Sequence, residues 1–426
     1  MEFLNKNVLD TIEIIRKIIT VGLFLYTMYF LVLGTFAMRP NPKYKSMDPK
    51  NRFAVIIAAR NEGAVIGNLL DSLKRQNYPK ELYDIIVIPN NCTDDTEKIA
   101  RERGAQIFEC KRPIKSKGEV LEEFFDHIMA NRDKPENQYD AYCIFDADNL
   151  VDENFLKNMN EAKEGGANAA QGYRDSKNPY DTAMSSSYAI YYYAVNRFYN
   201  HARHHIGLSS LISGSGFMIS HKLMHEMGGW KTQTLTEDIE LTAKCVLMNR
   251  RVFWVPEAII YDEQPLTFEQ SWKQRRRWTT GLIQGVETYF WPLLKKTVKE
   301  RNLKSFDIIM FLMALGNQIF YIISIILTMF VDYRLVRGGS VDYTYIIYRV
   351  LGAVLFSYIV CVIIATVAVI MAKKKPSKMI KGILFFWMFV FSWVPINIIC
   401  LIKKETVWEQ IDHTVSINIE EIPSDN

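Results

Sequence analysis

Three short runs carry side chains that could do chemistry together. Asp146-Ala147-Asp148 places two carboxylates one residue apart. At a strand end both can reach a divalent cation, which in turn bridges the oxygens of a diphosphate; a solvated turn has the same composition. Thr236-Glu237-Asp238 opens a helical pattern through Leu241, Cys245 and Leu247. Acids in a first helical turn ordinarily complement the dipole; the chemical alternative is that Asp238, with Glu237 beside it, takes a proton from an attacking hydroxyl. Gln274-Arg275-Arg276-Arg277-Trp278 lies on an amphipathic stretch just before the chain turns apolar. Guanidinium groups grip phosphate chains, and an indole offers a flat face to a stacking ring. A basic helix beside a membrane otherwise binds lipid headgroups.

The elements that must position these runs alternate in type. Phe53–Ala58, Tyr83–Ile88, Ala105–Phe108 and Ala141–Phe145 read as buried strands, and the stretches near Val65–Arg75, Asp94–Arg103 and Glu119–Ala130 as helices between them. Such alternation predicts an α/β, doubly wound parallel sheet with its ligand at the carboxyl ends of the strands. Those ends carry Ala59-Arg60-Asn61-Glu62, Asn90 through Thr96, Lys115-Ser116-Lys117-Gly118 and the Asp146 pair. Thr93 and Asp94 are read as a helix N-cap rather than as ligand contacts. Tyr188, Tyr191, Tyr192, Val195 and Tyr199 recur at helical spacing, as packing or membrane-interface contacts do. Ser213-Gly214-Ser215-Gly216 fits either a tight turn or close backbone approach of an acceptor. Asp262 and Glu263 are expected to orient the helix bearing Gln274. There is no internal repeat and no low-complexity linker.

Four uncharged runs, Ile18–Met38, Ile308–Val331, Val350–Ala372 and Gly382–Ile402, each approach the roughly 20 residues that cross a hydrocarbon core. The chain therefore reads as an integral membrane protein whose partner is the lipid bilayer. Residues 1–17 are either an amphipathic lead-in or an extension of the first span. Lys and Arg crowd both edges of the polar middle region and the Lys373–Lys381 loop, which places these in the cytoplasm. Pro395 interrupts the last run, and Lys403 and Lys404 follow it, so a full crossing and a re-entrant hairpin both fit; the tail is expected inside. A net charge of +4 gives no indication of nucleic acid. Six cysteines without a CxxC pair argue against a disulfide framework or a zinc site.

Taken together, Asn61-Glu62, Lys117-Gly118, Asp146-Ala147-Asp148, Thr236-Glu237-Asp238 and Gln274 through Trp278 resemble the processive, membrane-embedded family 2 glycosyltransferases, which include cellulose, hyaluronan, chitin and poly-N-acetylglucosamine synthases. The resemblance runs from about Ile18 to His413. It implies a GT-A-type domain inserted between transmembrane helices: an N-terminal membrane helix (1–40), a cytosolic GT-A domain (41–267), interfacial helices (268–305), C-terminal membrane helices (306–404) and a tail (405–426).

The resemblance also implies a UDP-sugar donor, a growing glycan acceptor, Mg²⁺ or Mn²⁺, and a multi-pass plasma-membrane location. Glu62, Asn90, Lys117 and Asp146 would contact the nucleotide, Asp146 and Asp148 the metal. Asp238, with Glu237, would be catalytic, and Gln274, Arg277 and Trp278 would hold the diphosphate and the acceptor. The family usually has Asp where Asn90 stands. Trp408 through Thr414 is similar to the Trp-containing tails of these synthases. With few spans per chain, a homodimer is a candidate assembly. A single base without a separate nucleophile implies inversion and a β-linked product, for which glucose is the expected sugar over N-acetylglucosamine. A glycolipid glycosyltransferase, and a non-catalytic scaffold or transporter, are the alternatives.

Overall fold

The computed structural model describes residues 2–114, 116–403 and 415–422. The Trp408–Thr414 motif, Lys115 and Lys404 lie outside the described residues.

Eight strands form one sheet: β1 (Phe53–Ala59), β2 (Tyr83–Pro89), β3 (Gln106–Ile107), β4 (Ala141–Asp146), β5 (Leu150–Val151), β6 (Ala169–Ser176), β7 (Phe217–Ser220) and β8 (Val252–Asp262), in the order β3-β2-β1-β4-β7-β6-β8-β5. Each strand read from the sequence forms within a residue or so of its expected ends. Period-2 alternation sends Phe53, Val55 and Ile57 into one core and Ala54 and Ile56 into the other, and helices cover both faces. The sheet is mixed rather than parallel. β3, β2, β1 and β4 run parallel, but β7 pairs antiparallel with both β4 and β6. The reversal is made by Gly214 and Gly216, whose φ values of 83° and 62° suit glycine. The four-residue strand that follows is too short to stand out from a turn.

Among the described residues, four helical segments are long and apolar enough to cross a membrane: Asp10–Met38, Ala314–Arg337, Tyr343–Met371 and Pro376–Ile402. The first belongs to a helix unbroken from Glu2 to Thr35, so the N-terminal lead-in is an extension of the span. The second apolar run is divided at Met313 into Leu303–Leu312 and Ala314–Arg337. Asp307 explains the short first piece. Its carboxylate is fully buried, accepts from Arg203 Nε at 2.9 Å and from Tyr29 Oη at 2.7 Å, and so ties that helix to the sheet domain and the first span.

The last segment breaks at Ser392 into Ile380–Phe391 and Trp393–Ile402. Pro395 has no N–H for the Phe391 carbonyl, and in a continuous helix its ring would collide with that carbonyl. Arg275 supports the break, donating to the Phe389 carbonyl at 2.9 Å and to Ser392 Oγ at 2.7 Å. Both flanks of this segment rest on the sheet domain. Before it, Lys374 pairs with Asp175 at 3.2 Å, and in its first turn Gly382 abuts Ser186 so closely that a Cβ would collide. After it, the Val415 N–H donates to Glu263 at 3.1 Å, Asn68 donates to Ser416 Oγ at 2.9 Å, and Glu420 pairs with Arg75.

Candidate active site

A cavity of about 520 Å³ opens at the carboxyl edge of the parallel strands and continues between the membrane-proximal helices. Glu62, Asn90, Lys117, Asp146, Asp148, Glu237, Asp238, Gln274, Arg277 and Trp278 all line it. The structure thus brings these ten residues together although they come from segments more than two hundred positions apart.

The floor is built by strand ends and the loops that follow them. After β1, Asn61 takes φ 53° and its side chain accepts the Thr93 N–H at 2.7 Å, while the Glu62 N–H donates to Thr96 Oγ1 at 2.8 Å. Asp94 accepts the N–H groups of Thr96 at 3.1 Å and Gly63 at 2.9 Å, tying two loops together, but the N-cap of the Thr96–Glu102 helix is Asp95 rather than Thr93 or Asp94 as expected. Asn90 is pinned by its N–H to the Ala59 carbonyl at 2.8 Å. Lys117 begins a helix (Lys117–Ala130) capped by Ser116 Oγ, and its ammonium donates to Asp146 Oδ1 at 2.5 Å and to the Gly214 carbonyl at 2.9 Å, with Glu237 at 3.8 Å. Burial works to lower the Lys117 pKa, but the carboxylates of Asp146 and Glu237 outweigh it and hold it above the usual lysine range.

Asp238 stands on the first turn of the Glu237–Leu247 helix and lies near Gly214, where a Cβ would come within 3.5 Å of Oδ2. Burial, reinforced by the charge of Glu237, pushes its carboxyl up to about 7, against the pull of the Ile239 N–H, Lys117 and Arg174. An acid with a pKa near neutrality is well matched to proton transfer at physiological pH.

The wall is the long Phe268–Glu300 helix, started by a reciprocal cap between Thr267 and Gln270. The contacts seen for Asp262 and Glu263 run to other elements rather than to this helix, where they were expected. Asp262 instead holds Arg174, whose Nε donates to it at 2.9 Å, and accepts from Asn149 at 2.9 Å; Glu263 faces Val415 and donates its N–H to Asp148 at 3.2 Å. The helix is oriented by the Thr236–Asp238 segment itself. Gly281 lets Thr236 approach where any Cβ would collide, Gln284 accepts the Leu235 N–H at 2.8 Å, and Tyr289 donates to Glu240 at 2.7 Å.

Arginines 275–277 do not act as one cluster. Successive residues turn by about 100° on a helix, so Arg277 lines the cavity while Arg275, fully buried, serves the Ser392 break. The buried carbonyl oxygen of Gln274 has no protein partner among the described residues. Trp278 belongs to an aromatic box with Tyr191 and Trp393, their ring centroids 6.4 and 6.3 Å from its own and all three lining the cavity. The tyrosine stripe is thus divided: Tyr188 packs in the core, whereas Tyr191 and Tyr192 face the cavity.

Sequence reasoning missed Arg174. It is buried, bonded to Asp262, and its guanidinium lies 4.4 Å from the Tyr192 ring centroid. An arginine in the middle of an otherwise strand-like run was the one available signal.

Among the described residues no three His, Cys, Asp or Glu side chains gather as a complete metal site. Asp146 and Asp148 nonetheless both line the cavity. Two carboxylates fit a hard cation that draws its remaining ligands from phosphate oxygens and water.

A mixed α/β sheet with two carboxylates, a half-buried acid and a basic helix around one cavity defines a nucleotide-sugar glycosyltransferase of GT-A type. The model of the family "Glycosyltransferase like family 2" matches residues 49–281, more than half of the chain, and the chain belongs to that family. It is 28% identical over 277 residues to a probable glycosyltransferase, YdaM, of Bacillus subtilis, covering 61% of this chain and 63% of that one. It is 25% identical to a beta-monoglucosyldiacylglycerol synthase of Nostoc sp., covering 66% of this chain and 60% of that one. The chain therefore spans about three fifths of the length of these two relatives. A poly-beta-1,6-N-acetyl-D-glucosamine synthase of Staphylococcus epidermidis is 26% identical over 352 residues, 80% of this chain and 78% of its own. Among solved structures, a mannosyltransferase of Pyrobaculum calidifontis in complex with GDP-Man and Mn²⁺ shares the fold, with a TM-score of 0.62 at 18% identity over 92% of this chain and all of that one.

Proposed function

We propose that this enzyme is an inverting, membrane-bound polysaccharide synthase that adds sugar from a UDP-sugar to a growing β-linked glycan on the cytoplasmic face of the cell membrane. The observation that carries the reading is the continuity of the cavity: beyond Asp238 it passes Trp278 and reaches Gln318 and Asn397 in the membrane segments. A donor site that opens towards the bilayer suits an acceptor that leaves through it.

Asp238 takes the proton of the acceptor hydroxyl as that oxygen attacks the anomeric carbon. The bond to the nucleotide diphosphate breaks on the opposite side, and the charges of Lys117 and Arg277 face the departing group. Glu62 and Asn90 border the nucleotide end, and Gln274 offers its buried oxygen to the acceptor. A divalent cation, Mg²⁺ or Mn²⁺, held by Asp146 and Asp148 would supply neutralisation of diphosphate charge. The flanks of Pro376–Ile402 both rest on the sheet domain, which supports a re-entrant segment with the tail on the cytoplasmic side and three crossings per chain.

The poly-N-acetylglucosamine synthase matches most of both chains, which favours N-acetylglucosamine as the sugar over the glucose expected from the sequence. The monoglucosyldiacylglycerol synthase supports a second reading, transfer of one glucose to a lipid. Membranes bearing the enzyme, supplied with radiolabelled UDP-N-acetylglucosamine or UDP-glucose, separate these. A polymer stays out of the organic phase and yields to linkage-specific glycosidases, whereas a glycolipid is extracted. Absence of UDP release with every sugar nucleotide would overturn both.

A further inference from the structure

We propose that Thr279, Gln318 and Asn397 form a carbohydrate-binding gate at the membrane end of the cavity, gripping sugar units already added as they leave the transfer site. The inference rests on the polymer reading and assigns residues to its exit.

The three side chains come from three separate helices. Thr279 follows Trp278 on Phe268–Glu300, Gln318 lies in the second turn of Ala314–Arg337, and Asn397 lies on Trp393–Ile402. Thr279 Oγ1 donates to Asn397 Oδ1 at 2.9 Å, and Asn397 Nδ2 donates to Gln318 Oε1. All three line the cavity, and Thr279 and Asn397 are buried. The same three helices carry Ile283, Leu315, Ile396 and Cys400, which pack together as one apolar cluster.

Polar groups among membrane helices are costly and need partners. Among the described residues this set is partnered within itself, and incompletely. A primary amide has two N–H donors, and the Gln318 amide nitrogen has no acceptor among the described residues, so donor capacity faces the cavity. In this proposal the linear contact of hydroxyl, amide and amide across the three helices is the closed form of the gate. Any occupant that passes must replace those bonds. An acyl chain offers no such replacement, whereas a sugar unit offers hydroxyls that both donate and accept. The chemistry therefore selects a glycan. Trp278 one residue earlier is positioned to hold the preceding unit, so the gate engages the chain immediately beyond it. Holding the product there between transfers keeps it from dissociating and raises the number of additions per encounter.

The test uses full-length enzyme in native membranes with its UDP-sugar, and reads product length on gels together with the KM for the donor. Asn397→Leu and Gln318→Leu keep side-chain bulk but remove the amides. Mean product length is expected to fall at least fivefold in each, with the donor KM within twofold of wild type. The exchanged pair Gln318→Asn with Asn397→Gln restores amides on both helices and is expected to recover most of the length. Wild-type length in both Leu variants overturns the gate. If the Leu variants incorporate nothing, the exchanged pair decides: recovered long product supports the gate, and short product overturns it. A wild-type enzyme that makes only a single-sugar product overturns the polymer reading itself, a different result from polymer of unaltered length in the variants.

Discussion

Replacing Asp238 by Asn should cut the rate by orders of magnitude and stabilise the fold, a combination that separates a catalytic base from a structural acid. The carboxyl sits at about 7 in the folded chain against an ordinary 3.8. That difference corresponds to roughly 4 kcal/mol favouring the neutral acid, shared with Glu237 and reduced by whatever solvent reaches the cavity mouth. Below pH 3.8 the acid is neutral both folded and unfolded, and the site costs nothing. As pH rises towards 7 the unfolded chain ionises while the folded one resists, and the cost grows; above 7 it is fully present. An Asn carries none of it.

Asp238→Asn in nanodiscs should therefore unfold at a higher temperature than wild type at pH 8, with the difference shrinking as pH falls towards 5. The same variant should lose about 10²–10⁴-fold in kcat, the usual contribution of a positioned general base. Wild-type kcat/KM should in turn fall about tenfold per pH unit below an apparent pKa near 7, as the base becomes protonated. An Asn variant that retains the wild-type rate, or a wild-type profile flat between pH 5.5 and 7.5, would refute the assignment. Loss of activity with a lowered melting temperature at pH 8 would refute the physical argument behind it.

Other perturbations follow from single contacts. Lys117→Met leaves Asp146 without its ammonium partner and should raise the donor KM at least tenfold, measured by UDP release. Arg174→Met strands Asp262 in a buried site and should destabilise the fold by about 3–5 kcal/mol, read as a fall in melting temperature; double replacement with Asp262→Leu should recover much of it. Gly281→Val forces the Gln274-bearing helix away from Thr236 and should lower kcat well over tenfold although neither residue is charged. Chelation should lower activity, and Mn²⁺ or Mg²⁺ should restore it in wild type but not in Asp146→Asn.

The local signals in this chain were strong. Buried strands from Phe53 to Phe145 announce themselves by continuous apolar runs, and the membrane segments by length alone. The ten candidate residues were legible as types at strand ends and helix starts, because carboxyl edges of such sheets gather polar groups wherever a ligand binds. What local patterns could not carry is pairing over distance. The antiparallel entry of β7, the bond between Arg174 and Asp262, and the pinning of Phe268–Glu300 by Gly281 all depend on partners tens of residues away.

The same limit explains the errors. Three consecutive arginines read as one basic cluster until helix geometry sends them to different faces, one to the cavity and one to the Ser392 break. The second apolar run reads as a span beginning at Ile308, whereas the chain breaks at Met313 and the span is Ala314–Arg337. By itself the amino-acid order determined which segments must be buried or embedded and which side chains could do chemistry, since those follow from each residue's own polarity and backbone preference. Only the tertiary structure decided which of them meet, because a charge or a glycine acquires its role from the group that packing brings against it.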